Sequence, residues 1–348
     1  MSTRPVGFAV VGCGVVADYH IGAIAATAGA RLVAVTDLVA ERARQTGEKH
    51  GVAWYTGHEE MLRSAEVDVV CICTPSGIRL PIATDAAAAG KHLVIEKPLD
   101  VTLEKADRII AAAAAAGVQL MCIFQLRYGQ AVQQARAAVQ SGQLGRVTLG
   151  DAYIKWFRPQ SYYDSAAWRG TWAMEGGGAL MTQGIHTVDL LRWIMGPVKR
   201  VHARMGALVH QIEVEDTLVA TLEYESGALG VVEATTASHP GMPARLEFSG
   251  SRGTIVVEAD RIASWQVEGQ ASPVAAGAAA ASGVAQAASD SKTFGTEGHK
   301  AQIGEMVQVV RGHGRPQIDG PEGRATLELI VALYESARRG APVDLPLR

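Results

Sequence analysis

Residues 6–17 read VGFAVVGCGVVA, and this stretch decides the fold. Val6–Val11 is a short apolar run that closes at Gly12, and a helical pattern carries on to about Ala28. Gly12 permits the tight turn, and Gly14 lets the backbone approach a pyrophosphate. Ala17 stands where a third glycine often sits and is small enough for close helix–strand packing. The helix opened by Val15 and Val16 turns its free N–H groups and the positive end of its dipole toward the phosphates. A glycine-rich turn alone is a weak signal; an apolar strand before it and a helix after it make it a nucleotide site.

Working outward, RLVAVTD (31–37) reads as a second strand and a charged helix follows over 39–50. DVVCICTP (68–75), HLVIEKPL (92–99) and VQLMCIFQ (118–125) are further apolar runs, separated by helical patterns near 80–89 and 103–116. Near-continuous apolar strands alternating with helices predict a doubly wound parallel sheet covered on both faces. Residues 1–127 are expected to form an NAD(P)-binding Rossmann domain. Asp37 ends the second strand, where a carboxylate accepts hydrogen bonds from the adenine-side ribose and repels a 2′-phosphate, which favours NAD. The alternative for Asp37 is a cap on the next helix. Arg42 and Arg44 would serve a 2′-phosphate only if the loop folded back, so NADP stays open.

The pattern changes after Arg127. A helix is expected over 131–141, and LGRVTLGDAYIKWF (144–157) begins a set of alternating strands with turn signals at Glu225-Ser226-Gly227 and Ser251-Arg252-Gly253. These predict an open, mostly antiparallel sheet with one covered face, and a helix over 180–195 to cover it. Late helices are expected near 301–311 and 321–339. Residues 128–348 thus read as an α+β domain. Within it, 269–295 is almost devoid of large apolar residues and reads as an exposed, mobile insertion.

The chain has 348 residues, a net charge of −3 and 48% hydrophobic residues, enough for a core in each of two domains. No basic stripe points to nucleic acid, and no apolar run of about 18 residues points to a membrane span. MSTRPVGFAVVG enters the first strand at once, which leaves no room for a secretory leader and makes the cytoplasm the expected location. The cysteines, Cys13, Cys71, Cys73 and Cys122, lie in apolar runs without a metal-binding spacing, so no metal site is expected.

Two residues carry the chemistry. Lys97 follows an apolar strand and precedes Pro98, a place beside a nicotinamide from which an amine reaches a substrate hydroxyl. His186 lies in GGGALMTQGIHTVDLL (176–191), with Thr182 four residues before it and Asp189 three after. All three can share one helix face, and Asp189 either orients the imidazole or supports the local structure. Gln183 is a candidate polar contact to substrate. Thr74 and Pro75, at the carboxyl edge of the sheet, together with Glu96, Lys97 and Gln125, complete the expected cofactor set.

GCGVVA, CTPSGIRLPIA, GKHLVIEKPLD, WRGTW and GGGALMTQGIHTVDLLRW together resemble the glucose–fructose oxidoreductase, inositol dehydrogenase and rhizopine-catabolism (Gfo/Idh/MocA) family over nearly the whole length. The resemblance implies a Rossmann domain followed by a C-terminal α/β domain whose open sheet carries oligomer contacts, with a dimer or tetramer as the assembly. It makes Lys97 the key catalytic lysine with a cis bond to Pro98, and His186 the acid–base histidine. It gives Trp168 and Arg169 to the cofactor. Arg127, Tyr128, Arg158, Tyr162, Tyr163, Thr182 and Gln183 are expected around a sugar pocket. Two departures stand out: Thr182 replaces an aspartate common in the family, and Arg79 replaces a histidine in the loop after Thr-Pro. A threonine is no base at neutral pH, so the proton chemistry falls to Lys97 and His186. The segment around QGIHTVDLL is similar to members acting on amino-sugar acids, such as UDP-N-acetylglucosaminuronate 3-dehydrogenases.

The expected function is hydride transfer between a hydroxyl-bearing ring carbon of a sugar, sugar derivative or inositol and nicotinamide, with closure of the domains excluding water. Two alternatives stand beside it: a hidden-redox glycosidase using NAD transiently, and a nucleotide-binding regulator.

Overall fold

The computed structural model describes residues 4–271 and 296–347. They form two compact units, one from residues 4–125 and 296–327, the other from residues 126–271 and 328–347. No helix among the described residues is long and apolar enough to cross a membrane.

The first unit holds β1 (Val6–Val11), α1 (Val15–Ala26), β2 (Ala30–Thr36), α2 (Ala40–His50), β3 (Ala53–Tyr55), α3 (His58–Leu62), β4 (Val69–Ile72), α4 (Arg79–Ala88), β5 (His92–Ile95), α5 (Leu103–Ala115) and β6 (Leu120–Cys122). Its six strands run parallel in the order β3-β2-β1-β4-β5-β6. The order reverses between β1 and β4, which opens a crevice at their carboxyl ends. Every residue of β1 is buried, as a central strand covered on both faces requires. Phe8, Val10, Val35, Cys71 and Val94 pack with Ala17, Ile21 and Ile24 of α1.

The late helix Glu297–Val310 belongs to this unit, whereas the sequence pattern assigned it to the second domain. Ile303, Met306 and Val307 complete the same core as β1 and α1, so burial of the helix's apolar stripe decides the matter. The backbone beyond β6 is also satisfied from here. Gln302 donates to Cys122 O at 3.0 Å and accepts from Phe124 N at 3.2 Å, and Cys122 N donates to Ile318 O at 2.8 Å. The outer edge of β6, which pairs only with β5 among the strands of this sheet, is thereby covered.

The second unit contains α6 (Gln130–Gln140), β7 (Val147–Lys155), α7 (Gln160–Asp164), α8 (Trp172–Glu175), α9 (Ile185–Met195), β8 (Val198–Gly206), β9 (Thr217–Tyr224), β10 (Leu229–Thr235), β11 (Arg245–Gly250), β12 (Gly253–Glu258), β13 (Arg261–Val267) and β14 (Val343–Asp344). The eight strands form one sheet in the order β13-β12-β11-β7-β10-β9-β8-β14. Only β7 and β10 pair in parallel; the other neighbours are antiparallel. Along β9, Leu218, Ala220, Leu222 and Tyr224 are buried while the residues between them are not. One face is therefore covered, and α9 lies against it with Val188, Leu191 and Ile194 buried. The uncovered face carries Leu149, Val219 and Leu229, all exposed.

The single helix expected over 180–195 is two pieces, a π-helical turn Ala179–Gly184 running into α9. The buried Glu215 holds the start of this segment. Its carboxylate accepts from Gly178 N at 2.8 Å and Leu180 N at 2.9 Å, and its carbonyl accepts from Ala179 N at 2.9 Å. The first amides of a helix have no partner within it, and this clamp satisfies them. Of the insertion read at 269–295, residues 272–295 lie outside the described residues.

Candidate active site

At the carboxyl edge of the first sheet, Gly12 has φ +94°, and a Cβ there would meet Cys73 C and O at 3.0 Å. Glycine is required by both conformation and space. Gly14 caps α1 without a side-chain hydrogen bond, a Cβ on it would meet nothing within 4 Å, and Val15 and Val16 behind it are exposed. The start of α1 therefore presents open amides to an approaching anion. Asp37 is buried at the end of β2. It accepts from Cys13 N at 2.9 Å and from Val39 N at 2.9 Å, and pairs with Arg42 Nη1 at 3.2 Å. It thus ties the glycine turn to Val39 at the entry of α2, which has no side-chain cap of its own. Each carboxylate oxygen accepts one backbone N–H and is also reached by the half-exposed Arg42, at 3.4 and 3.2 Å, so a ribose hydroxyl would take the place of Arg42 there. Arg42 faces Asp37, while Arg44 pairs along the helix with Glu41 and Glu48.

Thr74 Oγ1 is buried without a hydrogen-bond partner, as is Gln125 Oε1. Orphaned polar atoms beside the crevice, an uncapped α1 and the Asp37 carboxylate fit a dinucleotide with a diphosphate and a ribose. Pro75 leads into a 3₁₀ turn at Ser76–Ile78.

Glu96 and Lys97 follow β5, and the Lys97–Pro98 bond is cis. The Glu96 carboxylate was expected at the cofactor, but it is buried inside the unit, with His20 Nε2 at 2.9 Å and His299 Nε2 at 3.5 Å. Burial pushes its pKa up, but the hydrogen bonds and charge of the two imidazoles hold it well below the carboxylate range. His20 is lowered by burial, against the pull of Glu96. The three side chains have ligand-type atoms within 4.8 Å of one another. The 2.9 Å contact is a hydrogen bond, which satisfies the carboxylate without an ion. Arg79, whose role the sequence left open, is buried at 4% exposure and donates to Thr74 O, Glu96 O and Pro98 O.

In the second unit, His186 is buried in the first turn of α9 and lines a small pocket with Gln183, Thr187, Trp156, Leu190 and Leu246. Thr182 Oγ1 donates to Gly178 O at 2.7 Å and also contacts the Gln183 amide oxygen. Gln183 Nε2 in turn donates to Tyr162 OH at 3.3 Å. The Arg169 guanidinium is stacked between Tyr162, 4.2 Å from its ring centre, and Trp168, at 4.6 Å; its buried Nε lacks a hydrogen-bond partner. The geometry therefore links Thr182, Gln183, Tyr162, Arg169 and Trp168 in one chain of contacts.

Other expected pocket residues go to structural bonds. Asp189 pairs with Arg127 through both ends of the guanidinium. Tyr163 OH bonds Thr236 Oγ1 at 2.7 Å, and burial raises its pKa. Arg158 is buried against Trp156, donates to Phe157 O at 2.7 Å, and its carbonyl faces His210 Nε2 at 2.7 Å. Tyr128 ends the 3₁₀ turn that also holds Arg127. Sequence reasoning missed His20, His299 and Glu215. His20 and His299 lie far apart in the chain, and Glu215 sits in an unremarkable EVED run, so no local spacing marks any of them.

Residues 6–124 match the model of an oxidoreductase family with an NAD-binding Rossmann fold, and residues 132–256 match the GFO/IDH/MocA C-terminal domain. Similar proteins include myo-inositol 2-dehydrogenase of Thermotoga maritima, 30% identical over 72% of this chain and 74% of that one. D-apiose dehydrogenase of Paraburkholderia graminis is 29% identical over 97% of this chain and 89% of that one. Among solved structures, the WlbA dehydrogenase from Bordetella pertussis, in complex with NADH and UDP-GlcNAcA, is 34% identical, with a TM-score of 0.88 over 99% of this chain and 100% of that chain.

Proposed function

The chain belongs to the Gfo/Idh/MocA family of NAD-binding oxidoreductases, and from that premise we propose that it oxidises a ring hydroxyl of a UDP-linked sugar acid of the UDP-GlcNAcA type. The observation that carries the substrate class is the likeness, over the whole chain, to the dehydrogenase crystallised with NADH and that sugar.

When bound, the nicotinamide supplies the redox chemistry by accepting a hydride at C4. The open amides at Gly14–Val16 bind the diphosphate, and Asp37 holds the ribose hydroxyls and disfavours a 2′-phosphate. The Thr74 hydroxyl and the Gln125 amide oxygen supply further polar contacts to the cofactor. Lys97, as the neutral amine, takes the hydroxyl proton on Nζ while the ring carbon loses its hydride and the C–O bond becomes a carbonyl. His186 is a second proton-handling group. Arg169, rigid and cationic between its two aromatic rings, suits a phosphate or carboxylate. Gln183 and Tyr162 are proposed as polar contacts to the sugar. Thr182, engaged with Gly178, shapes the π-helical turn rather than moving protons.

Leu149, Val219 and Leu229 share one exposed face of the sheet, and we assign that face to contacts between copies of the chain, with the cytoplasm as the compartment. The test of the reaction is NAD reduction at 340 nm with UDP-GlcNAcA against free pyranosides, inositols and other UDP-sugars. Reduction by UDP-GlcNAcA in preference to the rest is expected; selective reduction by an inositol or a free sugar overturns the substrate class.

A further inference from the structure

We propose that Arg79 is the positioning residue for Lys97: its guanidinium fixes the backbone on both sides of the lysine and ties it to the end of the neighbouring strand. The inference rests on Lys97 being the group that takes the substrate proton.

The last backbone hydrogen bond between β4 and β5 runs from Glu96 N to Ile72 O, at 3.1 Å. Beyond that point the cofactor-side residues Thr74 and Lys97 sit on strand ends that the ladder no longer joins. Arg79, the first residue of α4, takes over from the ladder. Its Nη1 donates to Glu96 O and to Pro98 O, the two carbonyls that bracket Lys97. Its Nε and Nη2 both donate to Thr74 O, at 3.1 and 2.9 Å. Four of the five N–H donors of one planar group are thus spent on three carbonyls from two strand ends.

No other side chain does this. A lysine has tetrahedral donors on a flexible stem, and a histidine has at most two donors. Burying a guanidinium at 4% exposure is costly, and here the cost is offset by satisfying three carbonyls and by the nearby Glu96 carboxylate. Glu96 is in turn held by His20 and His299. The residue before the lysine is therefore fixed through its carbonyl and through its side chain. A proton acceptor must be held to about 0.5 Å to act well, and this strap does so from beneath.

The experiment compares wild type, Arg79→Met and Arg79→Lys as full-length protein. Turnover with NAD and UDP-GlcNAcA is measured beside NADH binding by fluorescence, and hydrogen exchange is followed in peptides spanning residues 93–101. The expected result for Arg79→Met is a kcat lower by about a hundredfold, the scale of a misplacement near 1 Å. KM and NADH affinity should stay within a few-fold, and exchange should rise in 93–101 ahead of the rest of the unit. Arg79→Lys should restore less than a tenth of the loss. Full rescue by lysine, an unchanged kcat, or a KM that rises while kcat holds overturns the proposal. Should Arg79→Met fail to fold, Arg79→Lys decides by the same readings. Should the wild type reduce no NAD, the functional reading fails and hydrogen exchange alone decides: unchanged exchange in 93–101 removes the strap as well.

Discussion

Asp189 accepts both ends of the Arg127 guanidinium, Nε at 2.7 Å and Nη2 at 2.6 Å, three residues along the helix from His186. Both side chains are almost wholly buried, and the guanidinium also stacks 5.3 Å from the Trp193 ring centre. The pair fastens the turn before α6 to the helix that carries the histidine. Removing one partner leaves a buried charge uncompensated. Asp189→Ala is expected to cost about 3–5 kcal/mol in equilibrium urea unfolding. The double variant Arg127→Met/Asp189→Leu should recover most of that loss. A cost below about 1 kcal/mol for the single change would show that the pair does not hold the helix.

Asp37 should set the choice of cofactor. Asp37→Ala is expected to weaken NAD by roughly 10–100-fold, the worth of hydrogen bonds to a charged group, and to weaken NADP much less. Titration of both nucleotides by fluorescence checks this; an equal loss for the two contradicts the ribose assignment. Because Asp37 also holds Cys13 N and Val39 N, a small fall in melting temperature should accompany either outcome.

Lys97→Met should lower kcat by about 10²–10⁴-fold while NADH still binds, and His186→Gln should lower it without affecting the nucleotide. Stopped-flow reduction of bound NAD separates these effects from binding. Loss of nucleotide affinity in Lys97→Met would make the lysine a cofactor anchor instead.

Stability should fall with acid through the buried His20. Its folded pKa lies below its ordinary value of 6.5, chiefly from burial, so the unfolded chain binds more protons in that window. The stability it allows is fully present above pH 6.5 and is lost as pH falls toward the folded value. Glu96, depressed below 4.5, adds a second loss further down, present above that pH and lost below it. The melting temperature should therefore decline from pH 7 to 5, and His20→Gln should flatten the decline between 6.5 and 5. A variant with the wild-type pH slope would remove His20 from the account.

The alternation of apolar strands and helices made the Rossmann unit legible, and the GCG run its tight turn at Gly12, because both are set by neighbours in the chain. The position of Lys97, between a strand end and a proline, was legible for the same reason. The π-helical turn was not, because no local spacing marks it, and the clamp on its first amides comes from Glu215, distant in sequence. The place of the helix Glu297–Val310 was equally hidden, since an amphipathic stripe does not say which core it joins. Asp189 shows a further limit. Helical spacing brought it to the face of His186, but nothing local announces the buried arginine from another element that it pairs with.

The central claim is tested most directly by following the hydride itself. UDP-GlcNAcA deuterated at its ring carbons is incubated with the protein and NAD, and the nicotinamide is examined by NMR. The account predicts one deuterium at C4 of the reduced ring and a carbonyl at one sugar carbon. Bound NAD that acquires no deuterium, with the sugar recovered unchanged, would contradict it.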